Sequence, residues 1–219
     1  IEKLPTHQLK DEVQEFELCQ RFIDPILSGL FDDPEHNILF RWTSVMNEEA
    51  KNGSGMISKR RPDSVVTKLD GRFFGPTLGY VEVKSIKESK NKYAISKDLA
   101  RIGVLSKNSL DVSGNRGCLG VQVNGLNMSF YITTLLCDGM YPMFEICTIE
   151  IPSSLQSLQG FIGYLDELFA ILDCFDNWCL RKSTIPIQES SRKQKTLEDR
   201  AFDIILSRSK SSKRRCYAS

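Results

Sequence analysis

The apolar positions of this chain change period along its length, and each change predicts an element. Over residues 9–31, Val13, Phe16, Cys19 or Gln20, Ile23, Ile26 or Leu27, and Leu30 recur at helical spacing. Pro25 falls inside that run. Asp24-Pro25 reads as an N-cap with proline at the first helical position, so the segment divides into two short helices with a kink. Ile38 to Val45 is a short β-like run, and the polar, glycine-containing residues 47–61 read as a loop. Ser64 to Lys68 predicts a strand. Leu69 to Gly79, with its glycines and Pro76, predicts a long turn region. Gly79 to Ser85 predicts a second strand, whose alternation puts Tyr80, Glu82 and Lys84 on one face and Val81 and Val83 on the other.

Residues 95–111 predict a helix with Leu99, Ile102, Leu105 or Ser106, and Leu110 facing inward. Leu119 to Val123, Asn124-Gly125 and Leu126 to Leu136 predict a hairpin with a type I′ turn. Asp138-Gly139 then leads into Tyr141–Ile151, a third strand of a meander that stops at Pro152. Phe161, Leu165, Leu168, Leu172, Phe175 and Cys179 make one apolar seam on a long helix. That seam packs on its own domain by default; the other use for it is a homodimer through residues 161–179. The order helix, strand, hairpin, helix, meander, helix predicts an α/β fold, a mixed central β-sheet flanked by helices.

Length and composition place this pattern in one domain over residues 1–187, followed by a basic C-terminal tail over 188–219, mobile or partly helical. The final stretch SRSKSSKRRCYAS has five basic residues and no acid. It reads as a solvated tail, a nuclear-import patch or a phosphate contact. The net charge of +1 gives no global field to attract nucleic acid, so any such affinity must come from local clusters. Seven cysteines, an odd number without a C-x-x-C pair, argue against a disulfide scaffold and for an intracellular, reducing compartment, nuclear or cytoplasmic. With histidine only at positions 7 and 36, neither a zinc site of ordinary spacing nor a Ser-His-Asp set is expected. No uninterrupted apolar run is long enough to cross a bilayer, so no membrane partner is expected.

The candidate chemistry lies in RRPDSVVTKLDGRFFGPTLGYVEVKS. An acid-x-Lys triplet occurs at Glu49-Ala-Lys51, Glu82-Val-Lys84 and Glu88-Ser-Lys90, so the triplet alone selects nothing. Only Glu82-Val-Lys84 lies on an apolar strand, next to a strand that starts at Pro62-Asp63. Two carboxylates meeting there repel each other unless a cation or proton intervenes. A hard divalent ion, Mg²⁺ or Mn²⁺, uses one or two carboxylates plus substrate phosphate. Lys84, on the same face, can stabilise charge on that phosphate. Lys59, Arg60 and Arg61 precede Asp63, and Lys87, Lys90, Lys92 and Lys97 follow Lys84, a basic rim suited to phosphates. Arg60, Arg61, Lys87, Lys97 and Arg101 are the candidate nucleic-acid contacts, with Lys107 a further helix residue that can face the site. Tyr80, Tyr93 and Tyr131 are candidates for stacking on unpaired bases. The competing reading is a surface Glu–Lys pair of small energetic weight.

The Pro-Asp, the gap and the Glu-x-Lys on the following strand resemble the PD-(D/E)XK nuclease superfamily, over roughly residues 9–135. The resemblance implies a restriction-endonuclease-like core. It further implies Asp63, Glu82 and the Val83 carbonyl as metal ligands, Lys84 as the catalytic lysine, and one more acid from Glu15, Glu17 or Glu49. The pieces NEEAK, RRPDSVV, GYVEVKS, KDLARIGVLSKNSLD, VQVNGLNMSFYI and DGMYPMFEICTIEIPSSL also resemble a group of uncharacterised fungal open reading frames. The activity implied is metal-dependent phosphodiester hydrolysis, of DNA first and RNA second. The alternative is a nuclease-like fold that binds nucleic acid or protein without chemistry.

Overall fold

A computed structural model describes residues 3–43, 61–137, 139–181, 196, 204 and 205. The first helix begins at α1 (Glu15–Glu17), passes through a π-helical stretch over Leu18–Ile23, and continues as α2 (Asp24–Phe31). The expected break at Pro25 is absent. Asp24 has helical dihedrals and is not an N-cap. The wider π turn, with the Asp24 N–H on the Cys19 carbonyl, shifts the hydrogen-bond ladder just before the proline that cannot join it. The Asp24 side chain accepts from Trp42 Nε1 at 2.8 Å, tying the helix to the first strand.

Six strands form one sheet in sequence order: β1 (Ile38–Trp42), β2 (Ser64–Asp70), β3 (Phe73–Lys84), β4 (Gly117–Asn124), β5 (Asn127–Thr134) and β6 (Met143–Glu150). Every neighbouring pair is antiparallel except β3–β4. The parallel pair needs a crossover, supplied by α3 (Lys92–Ser113). The long turn expected over Leu69 to Gly79 is instead a tight turn at Gly71-Arg72 followed by strand. Register shifts between Val66 and Leu69 leave Pro76 out of the ladder, which is how a strand accepts a residue without an N–H. The β4–β5 turn also differs from expectation. Asn124 pairs with Asn127, and Gly125, the first central residue, takes φ +61°, while Leu126 does not enter the left-handed region. That is the pattern of a II′ turn rather than I′.

The two faces of the sheet pack differently. On one, Val66, Val81, Val83, Leu119, Val121, Val123, Met128 and Phe130 meet α1–α2 and the C-terminal helices. Those helices are α4 (Leu158–Ile162), α5 (Leu165–Cys174) and a π-helical end over Phe175–Cys179, broken near Gly163 where one long helix was expected. The seam is used internally: Phe161, Leu168, Phe175 and Cys179 pack on this core, while Leu165 is exposed. On the opposite face α3 lies over Tyr80, with Val65, Leu105, Leu110 and Cys118 beside it. Both Leu105 and Ser106 are buried there. A Cβ on Gly120 of β4 would come within 2.5 Å of Ile102 Cγ2, so the missing side chain lets α3 approach the sheet closely.

Of the C-terminal tail, Thr196 is buried against α3, donating to Asn108 Oδ1 at 2.6 Å and accepting from Lys107 Nζ at 2.9 Å. Ile204 and Ile205 are exposed. Among the described residues no cysteine is in a disulfide, and no helix is long and apolar enough to cross a membrane.

Candidate functional site

Asp63 lies immediately before β2, where the chain has already joined the β3 ladder: its N–H donates to the Val81 carbonyl at 3.2 Å. Its side chain turns along the same edge, and Asp63 Oδ2 accepts from the Val83 N–H at 2.8 Å. The start of one strand therefore sits beside the Glu82-Val83-Lys84 segment of the next. The alternation read from the sequence holds: Val81 and Val83 enter the apolar core, while Tyr80, Glu82 and Lys84 face α3.

Glu82 is 1% exposed, and neither carboxylate oxygen receives a well-directed hydrogen bond. Its counter-charge is Arg101 on α3, with Nη1 2.8 Å from Oε2. Burial pushes the Glu82 carboxyl up to about 9; Arg101 opposes that shift, and Asp63 and Asp98 add to it. The ion pair and the raised value pull in opposite directions. Burial wins, because a carboxylate stripped of water needs more than one poorly directed partner to stay ionised.

Lys84 reaches across the same face. Its Nζ donates to the Val83 carbonyl at 3.1 Å and lies 2.8 Å from Asp98 Oδ2. Burial lowers the lysine's proton affinity. Asp98, with Asp63 and Glu82, outweighs that effect and holds the ammonium above its usual value. Asp98 itself is 4% exposed and also accepts from Arg101 Nη1 at 3.3 Å. Arg101 Nη2 donates to the Arg61 carbonyl, closing the ring back to the start of β2. Gln122, opposite Glu82 in the β3–β4 register, donates to the Ile95 carbonyl at 2.7 Å and fixes the N-terminal part of α3 over the site.

Two of the alternative third acids are described. Glu15 is affected by burial first and then by Asp63, Glu88 and Asp98, which raise its carboxyl, while Lys84 lowers it. Glu15 is itself exposed on α1, and the charges that act on it are those of the site. Glu17 instead pairs with Arg21 at 3.0 Å on the helix surface. Glu49 and Arg60 lie outside the described residues.

The remaining candidates divide. Arg61 and Lys87 are exposed and Lys97 is half-buried, all close in sequence to the site. Arg101, a candidate nucleic-acid contact, faces the site and is engaged with Glu82, Asp98 and the Arg61 carbonyl. Lys107 is held by Asp111 at 2.7 Å and by Thr196, and serves the tail rather than the site. Tyr80 is fully buried and has no face free for a base; Tyr131 stands opposite Gly120 and Glu145 in the meander; Tyr93 is exposed.

Sequence reading missed Asp98 and Gln122. Both carried a signal. Asp98 begins the stripe Asp98, Ile102, Leu105, Ser109, an acid at an inward position of an otherwise buried face. Gln122 is the polar residue inside the buried strand β4.

The donors near Asp63 suit a hard divalent cation in kind. They are two carboxylates, Glu15 nearby and the Val83 carbonyl, all oxygen, and Glu82 Oε1 is buried without a donor. Among the described residues no group of three or more His, Cys, Asp or Glu is arranged to hold a metal. Compared with protein-family models, with curated proteins and with solved structures, the chain matches none.

Proposed function

We propose that the protein is a Mg²⁺- or Mn²⁺-dependent nuclease that hydrolyses phosphodiester bonds in DNA, and in RNA as the second substrate. The observation that carries the reading is the buried carboxylate of Glu82, on the strand paired with Asp63, with Lys84 two residues away on the same face. The order helix, three antiparallel strands, helix, parallel strand supports a restriction-endonuclease-like core.

In this reading Asp63, Glu82 and the Val83 carbonyl hold the cation, with Glu15 completing the set. When bound, that ion neutralises the attacked phosphate and makes a water more acidic. The protein's own residues do the rest. Lys84, kept protonated by Asp98, places a positive charge beside Glu82 where negative charge grows on the phosphate. Asp98 fixes that ammonium by a 2.8 Å contact, so it is a positioning residue. Arg61, Lys87 and Lys97 supply the basic rim for the backbone.

The second reading, a nuclease-like fold that binds without chemistry, is favoured by one observation: Arg101 already occupies the place beside Glu82 Oε2, at 2.8 Å. Incubating supercoiled plasmid and single-stranded oligonucleotides with the full chain, in Mn²⁺, Mg²⁺ or chelator, separates the two. Cleavage that stops with chelator, and falls about a hundred-fold or more in Lys84→Ala and Glu82→Ala, is expected. Cleavage surviving both substitutions removes this site. Salt-sensitive binding without metal-dependent turnover leaves only the second reading.

A further inference from the structure

The metal site proposed above, on which this inference rests, already contains a cation. Arg101 reaches Glu82 Oε2 at 2.8 Å, Asp98 Oδ1 at 3.3 Å and the Arg61 carbonyl. Its side chain is 20% exposed, whereas that of Glu82 is fully covered. The guanidinium is therefore the outer member of the pair. It cannot lose its proton, so its charge is permanent. A divalent ion on the same buried carboxylate would meet that charge at close range, where water screens little.

We infer that Arg101 is a displaceable plug. It caps Glu82 Oε2 in the metal-free protein and moves to a backbone phosphate of the nucleic acid when the divalent ion binds, so that metal and nucleic acid bind cooperatively.

Three features support this exchange. Asp98 keeps Lys84 at 2.8 Å on its other oxygen, so the departure of Arg101 does not leave Asp98 without a cation. The Arg61 carbonyl belongs to an exposed residue, and water can replace the donor there. Only Glu82 is then deserted, and it is the group the incoming ion takes over. The planar fork of Arg101 also suits phosphate better than an ammonium does. Lys84, by contrast, keeps Asp98 as its anchor and stays.

The test is a Mn²⁺ titration of the full chain, with free ion followed by electron paramagnetic resonance, on wild type, Arg101→Gln and Glu82→Gln. Each is measured with and without a phosphorothioate single strand that resists cleavage. Without the strand, Arg101→Gln is expected to bind Mn²⁺ about ten-fold more tightly than wild type, the size of an ordinary coupling between two sites. The strand should tighten wild type by a similar factor and Arg101→Gln much less. Equal affinity of wild type and Arg101→Gln, with Glu82-dependent binding in both, overturns the plug and leaves the metal site standing. No Glu82-dependent binding under any condition overturns the metal site and the plug with it. Should Arg101→Gln fail to fold, wild type alone decides. The Arg101 Nε–H resonance should move when Mg²⁺ and the strand are added together, and an unmoved resonance overturns the exchange.

Discussion

The two faces of this sheet are built from the same strands yet do opposite things. The face toward α1–α2 and α5 is a continuous apolar core, from Leu18 and Phe31 through Val83 and Phe130 to Phe175. The face toward α3 has a small apolar cluster around Tyr80 and, beyond it, buried Glu82, Asp98, Ser106, Asn108, Ser109 and Gln122. Alternation makes this possible: Val81 and Val83 serve one side while Glu82 and Lys84 serve the other. An apolar face stabilises the fold by excluding water. A face with buried acids costs stability unless each charge is met, so its persistence calls for a use.

A large cut on the apolar face should have the greatest effect on stability. Phe130 is fully buried in the centre of β5. Phe130→Ala should lower the unfolding free energy by about 3–5 kcal/mol, read as a drop in urea midpoint at unchanged slope. Loss of less than about 1 kcal/mol would mean the two faces are not divided as described.

The same strands show why much of the fold was legible in the sequence and some was not. The strands β4 and β5 flank a two-residue turn marked by Gly125, so the hairpin was legible although its turn type was not. Residues Phe73 to Thr77 carry the local signals of a turn, since Gly75 and Pro76 are poor strand formers. The ladder overrode them by shifting register around Pro76, a tertiary decision with no local trace. At the site, Asp63, Glu82 and Lys84 were legible because strand alternation and a Pro-Asp start are short-range patterns. That Arg101 pairs with Glu82 was not legible. The pairing depends on the closeness of α3 to β4 at Gly120, which joins residues from distant parts of the chain.

On the polar face the effect of a cut has the opposite sign and depends on pH. The Glu82 carboxyl is raised from 4.5 to about 9, mainly by burial. A raised folded value means the native state binds the proton more tightly than the unfolded chain. The contribution to stability is fully present below 4.5 and is lost as pH rises through about 9. Metal-free protein should therefore lose stability across that window, by at most about 1.4 kcal/mol per pH unit from this group. Glu82→Gln carries no titrating proton. Its melting temperature should stay flatter between pH 5 and pH 9 and exceed wild type at the alkaline end. Parallel slopes for the two proteins would show that burial of Glu82 is not what perturbs it.

The smallest effect on stability separates the two acids of the first helix. Glu17 pairs with Arg21 four residues on, with both partners well exposed, and such pairs contribute roughly 0.3–0.5 kcal/mol. Glu17→Ala should cost no more than that and leave Mn²⁺ binding untouched. Glu15 lies in the negative field of Asp63, Glu88 and Asp98, which together with burial raises its carboxyl against the pull of Lys84. Removing it relieves repulsion, so Glu15→Ala should be neutral or slightly stabilising without metal. With Mn²⁺ present the same change removes a ligand, and affinity should fall about ten-fold. A residue that adds nothing to the bare fold but strengthens metal binding belongs to the polar face's chemistry, although it is carried by a helix packed on the apolar face. Equal Mn²⁺ affinity in Glu15→Ala and Glu17→Ala would return both acids to the surface and confine the site to the strands and α3.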